Sequence, residues 1–311
     1  MARYILRRLF LGVFAVLGAT IVVFTLSRIG GDPRYLYVSD ASYGVDKEVW
    51  EAWGEKLGLD RPLVVQYGMW IGRAMRGDLG NSTAAQRPVI GVLKEKSAAT
   101  LQIAVASWVL SFLVGIPLGV LSALTRGRAV DYAARIFALL GQSAPTFWLG
   151  IIGILIFSVQ FGWLPAGTRG EGIAISNMVL PVFVLGLHPM ASYLRLTRSS
   201  MLEILDSEYI KFARAKGVRE WLVIWKHGFK NAFLVPLTFS GMLLVHFLTG
   251  TVVVETVFSW PGLGRLAIQS IWASDFPTLS TLVMFFAALY VVAVLILDIL
   301  YAALDPRIRY T

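Results

Sequence analysis

The chain has 311 residues, of which 57% are hydrophobic and only 15% charged, against about 45–50% and about 25% in ordinary globular proteins. Long uncharged runs can only be sheltered in lipid, so a pair of soluble domains is excluded and a polytopic helical membrane protein is expected. The net charge of +9 fits basic residues gathered on the cytoplasmic side of a membrane rather than a nucleic-acid partner, and the absence of cysteine excludes disulfides, thiolate metal sites and thiol nucleophiles.

Arg3, Arg7 and Arg8 precede an apolar run over 9–29. About 20 residues make a full span rather than the short core of a signal peptide, and no small-x-small cleavage site follows. An uncleaved first transmembrane helix with its N-terminus inside is therefore expected. Residues 31–98 form the long hydrophilic segment. Nine basic and nine acidic residues balance between positions 30 and 98, and loops of this length escape the positive-inside rule, so an extracytoplasmic cap is expected. Within it Asp46 is placed to cap a short helix carrying Val49, Trp50, Trp53 and Leu57 at three-to-four spacing. A second amphipathic helix is expected over 62–75, with Pro62 in its first turn, followed by turn chemistry at Gly77-Asp78-Leu79-Gly80-Asn81. Such helices either lie on the membrane surface or form a solvated cap over the outer mouth of a bundle.

Five more apolar segments follow, over 101–124, 136–161, 178–194, 234–254 and 279–304. Basic residues mark the inside after the second span (Arg126, Arg128, Arg135), after the fourth (Arg195, Arg198) and in the tail (Arg307, Arg309), giving six spans with both termini cytoplasmic. The third span is interrupted by Gly141-Gln142-Ser143-Ala144-Pro145. Pro145 frees a backbone carbonyl there, so Gln142 and Ser143 either re-satisfy a packed kink or face a pore. With His188 and His246, polar groups inside the fourth and fifth spans, they are the candidate pore-lining residues. Between the fifth and sixth spans the turn-rich run from Phe258 to Gly264 and the apolar stretch after it are expected to dip against the outer rim.

A nucleotide-binding loop of the G-x-x-x-x-G-K-[ST] kind is missing, as are H-E-x-x-H and G-x-S-x-G. The three histidines, His188, His227 and His246, lie far apart in sequence, so no metal or cofactor site is expected in this chain. Glu255 and Asp298 fall near the ends of their spans, whereas an ion-coupled carrier needs relay groups near the midplane. Structural roles are expected for both.

The segment over 208–232, EYIKFARAKGVREWLVIWKHGFKNA, is a basic, helix-prone island between the fourth and fifth spans. Asp206 or Ser207 is placed to cap a helix that Gly217 terminates. Ala213 and Gly217 lie four apart and leave one face nearly bare, with Ile210 extending that face and Lys211, Arg214 and Lys216 around it. A second amphipathic turn carries Trp221, Ile224 and Trp225. Two readings remain open: a loop lying on anionic lipid, or an element that docks into a groove of another protein, which is what a small-residue face serves.

This island resembles the EAA cytoplasmic loop of the permease subunits of ATP-binding-cassette importers. Its form, Tyr209-Ile210…Ala213-Arg214-Ala215-Lys216-Gly217…His227…Asn231-Ala232, is similar to that of the dipeptide/oligopeptide/nickel branch. Ala213 and Gly217 match the motif's second alanine and its glycine, whereas Lys211 and Phe212 stand at the glutamate and first-alanine positions. Other stretches resemble the B-type permease of that branch from end to end: Gly31-Asp32-Pro33, Leu57-Gly58-Leu59-Asp60-Arg61-Pro62, Gly77-Asp78-Leu79-Gly80, Phe147-Trp148-Leu149-Gly150, Arg198-Ser199-Ser200-Met201, the run from Glu255 to Gly264, and Asp305-Pro306-Arg307.

The resemblance implies an all-α, six-helix type I importer permease fold, divided into a first helix (1–30), an external cap (31–98) and a permease core (99–311) that holds a coupling loop over 199–232. It implies a multi-pass protein of a bacterial or archaeal cytoplasmic membrane, paired with a second, C-type permease, two cytoplasmic ATPase subunits that bind the ATP and magnesium, and an extracytoplasmic solute-binding protein. Tyr209, Ile210, Ala213, Arg214, Ala215, Lys216, Gly217, His227 and Asn231 would form the ATPase-coupling element. Trp260, Pro261, Gly262 and Arg265 would be contacts for the binding protein. The implied cargo is peptides; relatives also carry nickel chelates and oligosaccharides. An ion-coupled carrier and a passive channel are the readings from other classes.

Overall fold

The computed structural model describes residues 2–29, 34, 47–170, 174–249 and 251–304. Among them the secondary structure is helical, with one isolated bridge between Asn81 and Pro88. The Gly31-Asp32-Pro33 and Asp305-Pro306-Arg307 motifs, Asp46, the basic tail and the side chain of Asp298 lie outside the described residues.

The helices are α1 (Ala2–Ile29), α2 (Lys47–Leu57), α3 (Leu63–Met75), α4 (Val89–Leu124), α5 (Ala129–Ser143), α6 (Thr146–Gly153), α7 (Ile175–Leu205), α8 (Glu208–Ala215), α9 (Glu220–Leu222), α10 (Lys230–Ala232), α11 (Leu234–Thr249), α12 (Val252–Val257), α13 (Leu263–Trp272) and α14 (Phe276–Leu304). The stretches Ile154–Gln160 and Val223–Phe229 are wider, π-helical turns. By length and composition α1, α4, α7 and α14 can each cross a membrane.

The expected third and fifth spans are not single helices. The third is α5 followed by α6 and its π-helical extension, bent by 104°. Pro145 forces the bend: the residue before a proline is driven out of the helical region, and Ala144 is extended at φ −79°, ψ 127°. The fifth is interrupted at Thr251, which lies outside regular helix between α11, described to Thr249, and α12. Apolar composition runs on through the break, so hydropathy reads it as continuous.

Two compact units divide the chain. One includes Met1–Ser97 and Leu266–Ile296. Here α3 lies along the last third of α1, where the Thr20 and Tyr67 hydroxyls are 2.9 Å apart and Phe24 meets the rings of Tyr67 and Trp70 at 5.5 and 5.8 Å. Asp275, just before α14, is buried and accepts from the Thr278 hydroxyl at 2.8 Å, from the Thr278 amide at 3.3 Å and from the Thr83 amide at 3.2 Å. One carboxylate thus caps a helix and fixes the turn over 82–84.

The second unit is built on Ala98–Arg265. Its α4 and α7 approach along a ladder of small residues four apart: Ser107, Ser111, Gly115 and Gly119. The Ser107 hydroxyl donates to the Val182 carbonyl at 3.1 Å and that of Ser111 to the Gly186 carbonyl at 2.8 Å. A Cβ on Gly115 would lie 2.6 Å from the Met190 carbonyl oxygen, and one on Gly119 2.6 Å from Thr197 Cβ. Lipid offers no hydrophobic drive between helices, so such contacts and hydrogen bonds are what hold them together. The end nearest the 208–232 loop is clamped by Asp131, which is 1% exposed. Arg198 grips it with two bonds of 2.7 and 2.9 Å, and the Ser122 hydroxyl adds a third at 2.7 Å. A bidentate arginine with further donors is the arrangement that makes a buried charge tolerable.

Replacing Gly119 by leucine is therefore expected to overpack the α4–α7 crossing at about 1–3 kcal/mol. In detergent the thermal midpoint of Gly119→Leu should fall by about 2–10 °C, whereas Gly18→Leu, whose added Cβ meets nothing within 4 Å, should leave it near that of the wild type. Equal midpoints for the two variants would contradict the close approach.

Candidate functional site

The loop between α7 and α11 is folded onto itself. Helix α8 ends in a left-handed cap: Gly217 has φ +75°, its N–H donates to the Arg214 carbonyl at 2.9 Å and the Val218 N–H to the Ala213 carbonyl at 3.2 Å. That double bond pattern satisfies the last carbonyls of the helix, and glycine takes the conformation without a Cβ penalty. Ser207 occupies the N-terminal flank, but its hydroxyl donates back to the Ile204 carbonyl at 2.6 Å. The expected Asp206 cap is instead an ion pair with Arg126 at 2.8 Å.

The part of the expected docking face that α8 carries is turned inward, while Gly217 stays exposed. Ile210 is fully buried and Ala213 nearly so, packed with Val223 and flanked by Ile204 and Val218. Ala213 is small because its own chain lies against it. The same loop is fastened to the bundle by a second cluster in which Ala232 meets Val120, Ala123 and Met201. What the loop leaves outside is aromatic and basic: Tyr209 is 52% exposed, Phe212 66%, Trp221 67% and Trp225 43%, with Lys211, Ala215, Lys216 and Gly217 also exposed.

Charge on this surface is partly paired. Lys211 meets Glu208 at 2.7 Å. Arg214 holds Glu220 through two bonds of 3.2 and 2.7 Å; that hydrogen bonding keeps the Glu220 carboxyl below its ordinary pKa and raises that of the guanidinium. Three of the expected coupling residues form one bonded chain. The Tyr209 hydroxyl meets His227 Nδ1, and the Asn231 amide donates to the His227 carbonyl at 2.7 Å. Sequence separation of 18 residues hides the first contact.

A second feature is a cavity of about 560 Å³ between α7 and α11, a size typical of small-molecule sites. His188, Ser192, Phe239 and His246 are among its walls, so two of the four candidate pore residues converge. Gln142 stands one shell behind, its amide donating to the Ser192 hydroxyl at 3.3 Å. Ser143 is exposed at the end of α5 and is not part of the wall. Ring contacts lead from loop to cavity: Trp225 to Phe229 at 5.4 Å, Phe229 to Phe233 at 5.3 Å, Phe233 to Phe112 at 6.1 Å, Phe112 to Tyr193 at 5.8 Å and Tyr193 to Phe239 at 5.3 Å.

The expected outer contact surface is largely core. Trp260 is fully buried, its indole N–H donating to the Ala99 carbonyl at 2.8 Å, and Gly262 is buried as well; Pro261 and Arg265 reach the surface in part. Both buried residues pack around Glu255, which is itself fully buried. The Glu255 carboxylate accepts from the hydroxyls of Thr100 and Thr251 at 2.7 and 2.8 Å and from the Arg265 N–H at 2.9 Å. A Cβ on Gly262 would lie 2.3 Å from this carboxylate, which is why glycine stands there. Three donors on a fully buried carboxyl suit a fixed structural role rather than a relay.

A helical membrane unit with a mostly apolar cavity carrying a few polar groups, and a loop stapled to the bundle with aromatic and basic side chains exposed, is the build of a transport permease. The chain belongs to the family of binding-protein-dependent transport system inner membrane components, whose model matches residues 115–310. Over its full length it is 39% identical to the oligopeptide transport system permease protein AppB of Bacillus subtilis, covering all of that protein. It is 37% identical to a putative peptide transport system permease protein of Brucella abortus and 34% to the dipeptide transport system permease protein DppB of Alkalihalophilus pseudofirmus, with complete coverage on both sides. Among solved structures, the inward-facing MetNI methionine ABC transporter aligns over 70% of this chain and 97% of its own with a TM-score of 0.56 at 19% identity. An amino acid ABC transporter aligns over 69% and 94% with a TM-score of 0.54 at 16% identity. These two share the fold: the all-α, type I ABC importer permease.

Removing the Glu255 acceptor strands three buried donors, each at about 1–3 kcal/mol. Glu255→Ala is expected to lower the thermal midpoint by more than 5 °C, and Glu255→Gln, which keeps one acceptor oxygen, by less. An alanine variant as stable as the wild type would contradict the assignment.

Proposed function

We propose that this chain is the B-type permease of an ATP-driven, binding-protein-dependent importer of di- and oligopeptides. It pairs with a second, C-type permease, receives its cargo from an extracytoplasmic binding protein and is driven by two cytoplasmic ATPase subunits that hold the ATP and magnesium. Both termini face the cytoplasm. The observation that carries the cargo assignment is full-length identity of 34–39% to permeases named for peptide transport; the cavity where His188, Ser192 and His246 stand among apolar side chains supports a place for it on the path.

Coupling runs through the outer surface of the 199–232 loop. Phe212 and Trp221 are the anchors, since exposed aromatics filling a partner's pocket dominate most interfaces, and Lys216 and the Arg214–Glu220 pair rim them. Ile210 and Ala213 serve from beneath by making the loop rigid on α7. A docking element shifts the bundle only if its contacts differ between the two states of the ATPase pair.

Reconstituted with its partners, the transporter should lose about tenfold or more of its binding-protein-stimulated ATP hydrolysis on Phe212→Ala or Trp221→Ala, the scale of an interface anchor. Gly217 separates backbone from surface: Gly217→Asn, which tolerates the left-handed conformation, should retain coupling, while Gly217→Val should lose it. Unaltered stimulation in both aromatic variants would refute the coupling surface; stimulation by a nickel chelate or an oligosaccharide, with none by peptides, would refute the cargo.

A further inference from the structure

A groove of about 560 Å³ lies between α2 and α3, lined by Arg61, Arg73 and Arg76 with Glu55 as the acid among them. The arginines converge. Arg61 Nη1 reaches the Met69 sulfur at 3.4 Å, one helical turn from Arg73, and Arg76 closes the C-terminal end of α3. None of the three forms an ion pair among the described residues. Gly68 and Gly72 share the intervening face, and a Cβ on either would meet nothing within 4 Å, so the floor is bare.

The surroundings of this groove suit a bilayer surface. Tyr67 and Trp70 of α3 contact Thr20 and Phe24 of α1, about 8–14 Å short of the end of α1 at 1.5 Å per residue. That range overlaps the roughly 5–10 Å to which interfacial helices bury their apolar face. Leu63, Val64 and Met75 of α3 stand 48%, 82% and 79% exposed, apolar groups that acyl chains would cover. Three guanidinium groups, less Glu55 and about half a charge from the C-terminal end of α3, leave roughly +1.5, which matches one phosphodiester and no second anion.

We propose that this groove binds the headgroup of one anionic phospholipid of the phosphatidylglycerol type. The arginines hold the phosphate, Glu55 accepts from the headgroup hydroxyls, and the acyl chains run along the exposed side of α3. The proposal concerns the cap and stands apart from the peptide reading, so either can fail alone.

The test is native mass spectrometry of the full-length protein released from mild detergent, titrated with phosphatidylglycerol and with phosphatidylcholine. The wild type is expected to retain one phosphatidylglycerol per chain with at least tenfold preference. The triple variant Arg61→Gln, Arg73→Gln, Arg76→Gln should lose that preference. Gly72→Leu, which fills the floor and keeps every charge, should weaken retention severalfold, and Arg87→Gln, outside the groove, should change nothing. Soluble glycerol phosphate should not displace the lipid at equal concentration. Equal retention of the two lipids by the wild type, full retention by the triple variant, or displacement by glycerol phosphate would each overturn the proposal. So would a triple variant that keeps its lipid but loses stimulation by the binding protein, which would assign the groove to protein docking.

Discussion

The contact on which the proposed coupling loop depends is the one between Ile210, Ala213 and Val223. A surface loop transmits force only if it is fastened to what it must move. Here the buried side of α8 closes on the turn that follows it, and Ile204 at the end of α7 is part of the same cluster. With the Gly217 cap holding the reversal, the segment from α7 to α10 becomes a rigid projection. Its opposite face is then free to present Tyr209, Phe212, Trp221 and Trp225 to a partner.

The rest of the second unit continues that rigidity. Small residues on α4 let α7 approach within backbone contact, and the Asp131–Arg198 clamp locks the pair at the end nearest the loop. The rings from Trp225 to Phe239 fill the space between loop and cavity without a gap in contact. Such contiguity gives a physical route, along which coupling requires an element with two arrangements biased at both ends. Glu255 has the corresponding duty at the far side, tying α4, α12 and the start of α13 around a single carboxylate.

Much of this was legible in the chain itself. Hydropathy located α1, α4, α7 and α14, and Pro145 marked the bend. It failed at Thr251 because an apolar run hides a break in the backbone. The small residues of the loop were found, but smallness does not say whether a face is bare for a partner or for the chain's own return, and Ala213 serves the second. Trp260 was misplaced for a related reason: a turn-rich run near a span end suggests exposure, while its indole finds a carbonyl 161 residues away. Asp131 and Arg198 are 67 residues apart, and a lone acid among basic residues carries no signal of its partner.

The chain contains no cysteine, so the orientation of the coupling loop is open to single-cysteine labelling. Phe212→Cys, Trp221→Cys and Ala213→Cys would be exposed to a soluble maleimide in the isolated protein and again in the assembled transporter. The account predicts rapid labelling at 212 and 221 that assembly with the ATPase subunits suppresses, and little labelling at 213 in either state. Rapid labelling at 213 that assembly suppresses, with 212 and 221 indifferent to the partner, would contradict it.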